Sequence, residues 1–240
     1  MKKKESRIMF LGFSVSNFLS FNETQTISMM ASKVVRHKEH ILSGNGKRIL
    51  KTGLIYGANA GGKSNLIRAI DFSSDIILDG LDSVDLNKKY FRICNDGYKN
   101  PAVFEYRLIT QSGKEYSYGI AISYVEKKIL SEWLIRIEKS GAETYIFNRN
   151  IDEKGVHRTE SEIKIKDAQE RTRWKFYLED FGESISDTMK KKSILSDVAE
   201  RSNGKQGIFS EVLDVFLWFQ SIIIIFPTSQ YSGLNQMVED

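Results

Sequence analysis

Residues 54–67, Leu54-Ile55-Tyr56-Gly57-Ala58-Asn59-Ala60-Gly61-Gly62-Lys63-Ser64-Asn65-Leu66-Ile67, decide how the rest of the chain is read. They fit G-x-x-x-x-G-K-[ST], with Gly57 and Gly62 as the outer glycines, Lys63 as the lysine and Ser64 as the hydroxyl residue. The apolar run at 54–56 predicts a strand before the loop. Leu66, Ile70, Ser73 and Ile77 recur at helical spacing after it and predict a helix over 63–78, stopped at Asp79-Gly80. Between them, Gly57, Ala58, Ala60, Gly61 and Gly62 leave the loop almost without side-chain bulk, so its backbone can curl and turn successive N–H groups inward onto phosphate oxygens. The helix start adds unpaired N–H groups and a positive dipole end. Lys63 brings a full charge for the β- and γ-phosphates, and Ser64 a hydroxyl for a Mg²⁺ bridging them. The candidate nucleotide-contacting residues are therefore Gly57, Ala58, Asn59, Ala60, Gly61, Gly62, Lys63, Ser64 and Asn65, with Ser64 as the Mg²⁺ ligand. A glycine-rich turn that merely joins strand to helix would not need the lysine and serine in this order.

A chain of 240 residues can bury a sizeable core in one large domain or two small ones. With 35 basic and 31 acidic residues the net charge is only +4, which argues neither for nor against nucleic acid. Cys94 is the only cysteine, so no internal disulfide can form and a reducing compartment is the simplest reading. Nothing beside Cys94 in sequence supplies a base, so a buried or inert thiol is expected. Residues 1–7 are basic like the start of a signal peptide, but the apolar run behind them is broken by Gly12, Ser14, Ser16 and Asn17. Residues 212–226 are interrupted by Asp214, Gln220 and Ser221 and are too short to span a bilayer. The sequence reads as cytoplasmic, with no membrane partner.

Outward from the loop, 8–15 and 25–30 predict strands on either side of the turn Ser16-Asn17-Phe18-Leu19-Ser20-Phe21-Asn22, and Ser43-Gly44-Asn45-Gly46-Lys47 is turn chemistry. Residues 102–110 and 115–124, joined by Gln111-Ser112-Gly113-Lys114, predict a hairpin whose second strand carries Tyr116, Tyr118, Ile120 and Ile122 on one face. Residues 129–138, with Trp133, Ile135 and Ile137 on one face, and 144–147 predict another. The middle of the chain is then an antiparallel meander, unlike a repeat in which a helix follows every strand. The two tyrosines suit a sheet core better than base stacking. Residues 153–162 are polar and lack periodicity, 166–180, 187–201 and 208–221 predict helices, and the β-branched run 222–226 before Pro227 predicts a buried strand.

Two features stand apart from this frame. His37 and His40 are three apart, which could be ligand spacing, but no cysteine or third histidine is near, so a metal site there is disfavoured. Lys190-Lys191-Lys192 reads as a solvated face, with phosphate contact as the alternative. After the loop, an acid at the end of an apolar strand would be needed to hold the metal through water. Residues 76–78 followed by Asp79 fall inside the predicted helix, and 222–226 carry no acid, so no catalytic residue is assigned.

Residues 13–21 (Phe13-Ser14-Val15-Ser16-Asn17-Phe18-Leu19-Ser20-Phe21), the loop from Tyr56 to Leu66, Phe104-Glu105-Tyr106, Tyr116-Ser117-Tyr118-Gly119, Glu132-Trp133-Leu134 and Trp218-Phe219 resemble the ABC-type AAA family ATPases, relatives of RecF, SMC proteins and the OLD-family ATPases of phage defence. The resemblance implies an α/β P-loop fold: a mixed sheet around the P-loop helix, an antiparallel β-subdomain and a helical segment. It divides the chain into a core (1–100), a meander (101–150), helices (165–221) and a last strand (222–226). The signature motif, acidic strand end and switch histidine of such ATPases lie in later sequence, so an incomplete nucleotide-binding domain is expected. Leu19 stands where repair ATPases often carry Arg or Lys, and no glutamine is assignable to the loop joining the lobes. The implied cofactors are ATP and Mg²⁺, and the implied partners a second copy in a homodimer or larger assembly, DNA, and a nuclease or toxin effector. The competing reading is a non-hydrolysing nucleotide-binding scaffold or interaction module. A phosphate-loop kinase is disfavoured by the antiparallel middle.

Overall fold

The computed structural model describes residues 8–33, 36–59, 61–201 and 207–225. The basic start at 1–7, Ala60, the loop at 203–206 and the predicted strand's Phe226 lie outside the described residues.

Seven strands form one sheet in the order β2-β1-β5-β6-β7-β8-β9, namely β1 (Met9–Ser16), β2 (Gln25–Ser28), β5 (Ala102–Ile109), β6 (Glu115–Ser123), β7 (Lys128–Ile137), β8 (Glu143–Ile151) and β9 (His157–Glu160). A separate hairpin pairs β3 (Ile41–Gly44) with β4 (Lys47–Leu50). Its two-residue turn is Asn45-Gly46, both with positive φ (49° and 77°), the primed turn that matches strand twist. The helices are α1 (Lys63–Asp79), α2 (Ala168–Glu179), α3 (Ile194–Arg201) and α4 (Ile208–Gln220). No helix among the described residues is long and apolar enough to cross a membrane.

One transverse row of the sheet explains the core. Phe13, Tyr106, Tyr118, Leu134 and Phe147 are consecutive register partners across β1, β5, β6, β7 and β8, and each is at most 1% exposed. Since side chains alternate along a strand, this row fixes which face is covered. Leu66, Ala69, Phe72, Ile76 and Ile77 of α1 recur at helical spacing and belong to the same cluster, as do Val212, Val215 and Phe219 of α4. The Tyr106 hydroxyl meets Ser73 Oγ at 2.6 Å and donates to Ile70 O at 3.1 Å, so its burial leaves no orphaned polar atom.

The neighbouring row, Val15, Phe104 and Ile120, continues into Glu132 and Arg149, which therefore point into the same covered face. Both side chains are fully buried and pair at 2.9 Å. Glu132 also accepts the Tyr118 hydroxyl (2.9 Å) and the N–H of Ile194 (2.9 and 3.0 Å), while Arg149 donates to Met189 O and Lys192 O. The pair thus ties the start of α3 and the segment before it to the sheet.

Several expectations need correcting. Every strand pairing among the described residues is antiparallel, so the mixed sheet is not formed there. Residues 54–56 and 222–225 are not strands, because neither has a neighbouring strand to complete its backbone hydrogen bonds among the described residues. The helix predicted over 187–201 is broken: a short 3-10 turn (Met189–Lys191) precedes extended Lys192, and Ser193 Oγ accepts Ser196 N at 2.9 Å to start α3 afresh. The stretch 153–162 contains β9, whose polar residues show no alternation. Of the two states expected for Cys94, buried or inert, burial is ruled out, since the thiol is exposed.

His157 on β9 is 3% exposed, and neither ring nitrogen has a hydrogen-bond partner among the described residues. Burial, reinforced by the charges of Arg149, Lys128 and Lys190, pushes the imidazole down to about 4. The unfolded chain binds that proton nearer 6.5, so it holds more protons than the folded chain between about 4 and 6.5. Folding stability should therefore fall as the pH drops through this window, by up to about 3 kcal/mol. We expect His157→Leu to flatten the urea-midpoint profile there and to keep or raise stability at pH 7, since an unpaired polar group is replaced by an apolar one. An unaltered acid slope in the variant would show that other groups cause it.

Candidate functional site

The loop takes its shape from glycine conformations and from the helix that follows. Gly62 is left-handed (φ 84°) and is the N-cap of α1; it has no side chain to cap the helix, and the first turn carries no acid. Gly61 N donates to Ala58 O at 3.1 Å, which closes the turn. The N–H groups of Asn65 and Leu66 reach back to Gly62 O. The helix start therefore keeps the uncompensated positive end of its dipole, facing solvent beside a loop of small residues.

Lys63 folds back over this loop, its ammonium donating to Gly57 O at 2.8 Å and Ala58 O at 2.6 Å. Ser64 lies exposed on the first turn of α1. Asn65 Nδ2 donates to Ser20 Oγ at 3.0 Å, and a Cβ on Gly62 would stand 3.1 Å from the same oxygen. Gly57, Ala58, Asn59 and Gly61 are exposed as well, so the structure gathers the predicted residues on one surface; Ala60 is the exception, lying outside the described residues.

Ser20 belongs to the 16–22 turn, which is anchored by a residue that the sequence presents only as a turn former. Asn17 is 6% exposed with φ 47°; its Nδ2 donates to Gly97 O (2.8 Å) and Asn100 O (2.7 Å), and its Oδ1 accepts Phe91 N (3.1 Å). The Tyr124 hydroxyl donates to Asn17 O at 2.9 Å. Asn17 thereby holds the turn that touches the glycine-rich loop. Its place in the turn was the available signal; its partners, some 80 residues away, were not.

The surroundings of the loop are apolar. Leu54, Ile55 and Tyr56 are 86%, 52% and 93% exposed. A cavity of about 470 Å³ is lined by Ile67 and Ile70 of α1 together with Phe10, Trp218, Ile222 and Ile224. Asp79, the acid that follows an apolar run, ends α1 and so lies at the far end of that helix from the loop. The basic run is occupied with carboxylates: Lys190 pairs with Asp187, Lys191 with Asp82, and Lys192 with Asp197 and Glu200. Lys47 likewise pairs with buried Glu115.

A family model described as "AAA domain, putative AbiEii toxin, Type IV TA system" matches residues 54–204, more than half of the chain. The chain belongs to this family. Its match begins immediately before the phosphate loop and takes in α1, the meander, α2 and α3. Nucleotide-binding ATPase activity is the property this AAA family implies, and the antiparallel sheet with its packed helices agrees with a P-loop domain of that kind. No curated protein matched the sequence.

Proposed function

We propose that this AAA domain binds Mg-ATP through residues 57–65 and acts as the ATP-binding lobe of an ABC-type, RecF/SMC/OLD-like ATPase. The observation that carries the reading is the uncapped start of α1 behind the glycine loop, with the Lys63 ammonium held over that loop. The loop N–H groups and Lys63 would hold the phosphates, and exposed Ser64 would offer its hydroxyl to Mg²⁺. Bound Mg²⁺ neutralises charge on the β- and γ-phosphates. Two copies would close head to tail around two nucleotides, and that closure would act on DNA or on a nuclease or toxin effector, with anti-phage defence as the setting.

A thermal-shift titration tests the binding step: at about a hundred times its dissociation constant, Mg-ATP should stabilise the chain by roughly 2.7 kcal/mol. A flat titration to millimolar nucleotide would remove the proposal. The second reading, a non-hydrolysing scaffold or interaction module, is favoured by the position of Asp79 at the end of α1 instead of a strand. Phosphate release from a chain that binds ATP separates the two.

A further inference from the structure

Before the phosphate loop, three side chains with metal-ligating atoms converge. His37 Nδ1 lies 3.2 Å from Glu39 Oε1, and His40 Nε2 lies 3.5 Å from the same oxygen. One donor atom from each residue lies within 4.8 Å of the other two. A tetrahedral zinc-class ion with bonds of about 2.0–2.1 Å needs its ligand atoms about 3.3–3.4 Å apart, so small side-chain adjustments bring the three atoms onto one ion. Spacing alone offered a histidine pair; the fold adds the carboxylate between them.

The backbone produces the convergence. Residues Lys38–His40 form one 3-10 turn, with His40 N donating to His37 O at 3.0 Å. His37 is left-handed (φ 58°, ψ 46°), and its ring centroid lies 6.0 Å from that of His40. The side chains of His37, Glu39 and His40 are 75%, 65% and 71% exposed, so an ion reaches them from solvent.

We propose that His37, Glu39 and His40 bind one divalent transition-metal ion of the zinc class, with water completing its coordination. Two imidazoles and one carboxylate suit Zn²⁺, Co²⁺ or Ni²⁺, whereas Mg²⁺ prefers an all-oxygen shell. The ion would fasten the base of the β3–β4 hairpin: His40 O accepts Lys51 N at 3.0 Å, and residues 51–56 run from there to the phosphate loop. This inference is independent of nucleotide binding.

The test is Co²⁺ titration of the untagged chain, followed by its visible absorption. One equivalent should give the intense bands of a low-coordinate site, bleached by Zn²⁺ and unaffected by Mg²⁺. The double variant His37→Ala/His40→Ala should weaken uptake by at least about tenfold, the scale on which even supporting groups matter. Circular dichroism should be unaltered, because both side chains are exposed. Cys94→Ser, which removes the exposed thiol, should leave the spectrum unchanged. No uptake, uptake unaltered in the double-histidine variant, or loss confined to Cys94→Ser would each overturn the proposal and leave the three side chains as a contact among themselves.

Discussion

Lys63→Ala is expected to weaken Mg-ATP binding by about thirtyfold or more while leaving the unliganded fold intact. Removing a charge that contacts an ionised ligand group costs about 2–5 kcal/mol, and each 1.4 kcal/mol is tenfold in affinity. The fold has little to lose, because among the described residues the Lys63 ammonium meets only the carbonyls of Gly57 and Ala58 on an exposed loop, and water replaces it there. Calorimetric titration with Mg-ATP reads the first effect and the ligand-free melting temperature the second. Equal affinity in variant and parent would sink the assignment of the loop. A large drop in melting temperature without ligand would instead make Lys63 a structural residue.

Arg149→Met should have the largest effect on stability, about 3–5 kcal/mol, because it strands the Glu132 carboxylate inside the core. Arg149 is fully buried, and its guanidinium also donates to Met189 O and Lys192 O and lies 5.3 Å from the Phe181 ring centroid. Against a usual total of about 5–15 kcal/mol, such a loss leaves a marginal domain. Adding Glu132→Leu should recover part of it by removing the unpaired charge, yet not all, since Glu132 also accepts from Tyr118 and from Ile194 at the start of α3. Urea denaturation of the parent, the single variant and the double variant measures this. A single variant within about 1 kcal/mol of the parent would mean that the pair is not closed off from water as its geometry indicates.

These predictions differ in how far the sequence could have led to them. The phosphate loop, α1 and its stop at Gly80, and the hairpins from Ala102 to Ile151 were legible because each is specified by neighbours a few residues apart: glycines and a lysine at set spacing, apolar residues at helical spacing, alternation along strands flanking a turn. The residues proposed to meet the nucleotide follow the same local spacing, and those described lie in the loop before α1 and on its first turn.

What the tertiary structure alone decided is whatever depends on a distant partner. Residues 54–56 and 222–225 have strand composition, but a strand exists only when a second backbone takes up its hydrogen bonds, and none does so among the described residues. β9 shows the converse: His157-Arg158-Thr159-Glu160 has no alternation, yet β8 supplies the partner that makes it a strand. Glu132 and Arg149 look like surface charges until register places them in a covered row. Asn17 passes for an ordinary turn residue until Gly97 and Asn100 close around it. The same holds for His37, Glu39 and His40, whose convergence depends on a backbone twist at His37 that residue spacing does not reveal. The sequence by itself determined the glycine-rich loop and the helix that follows it; the folded chain determined which charges are buried, which strands are paired, and what stands beside that loop, because these depend on contacts between residues far apart in the chain.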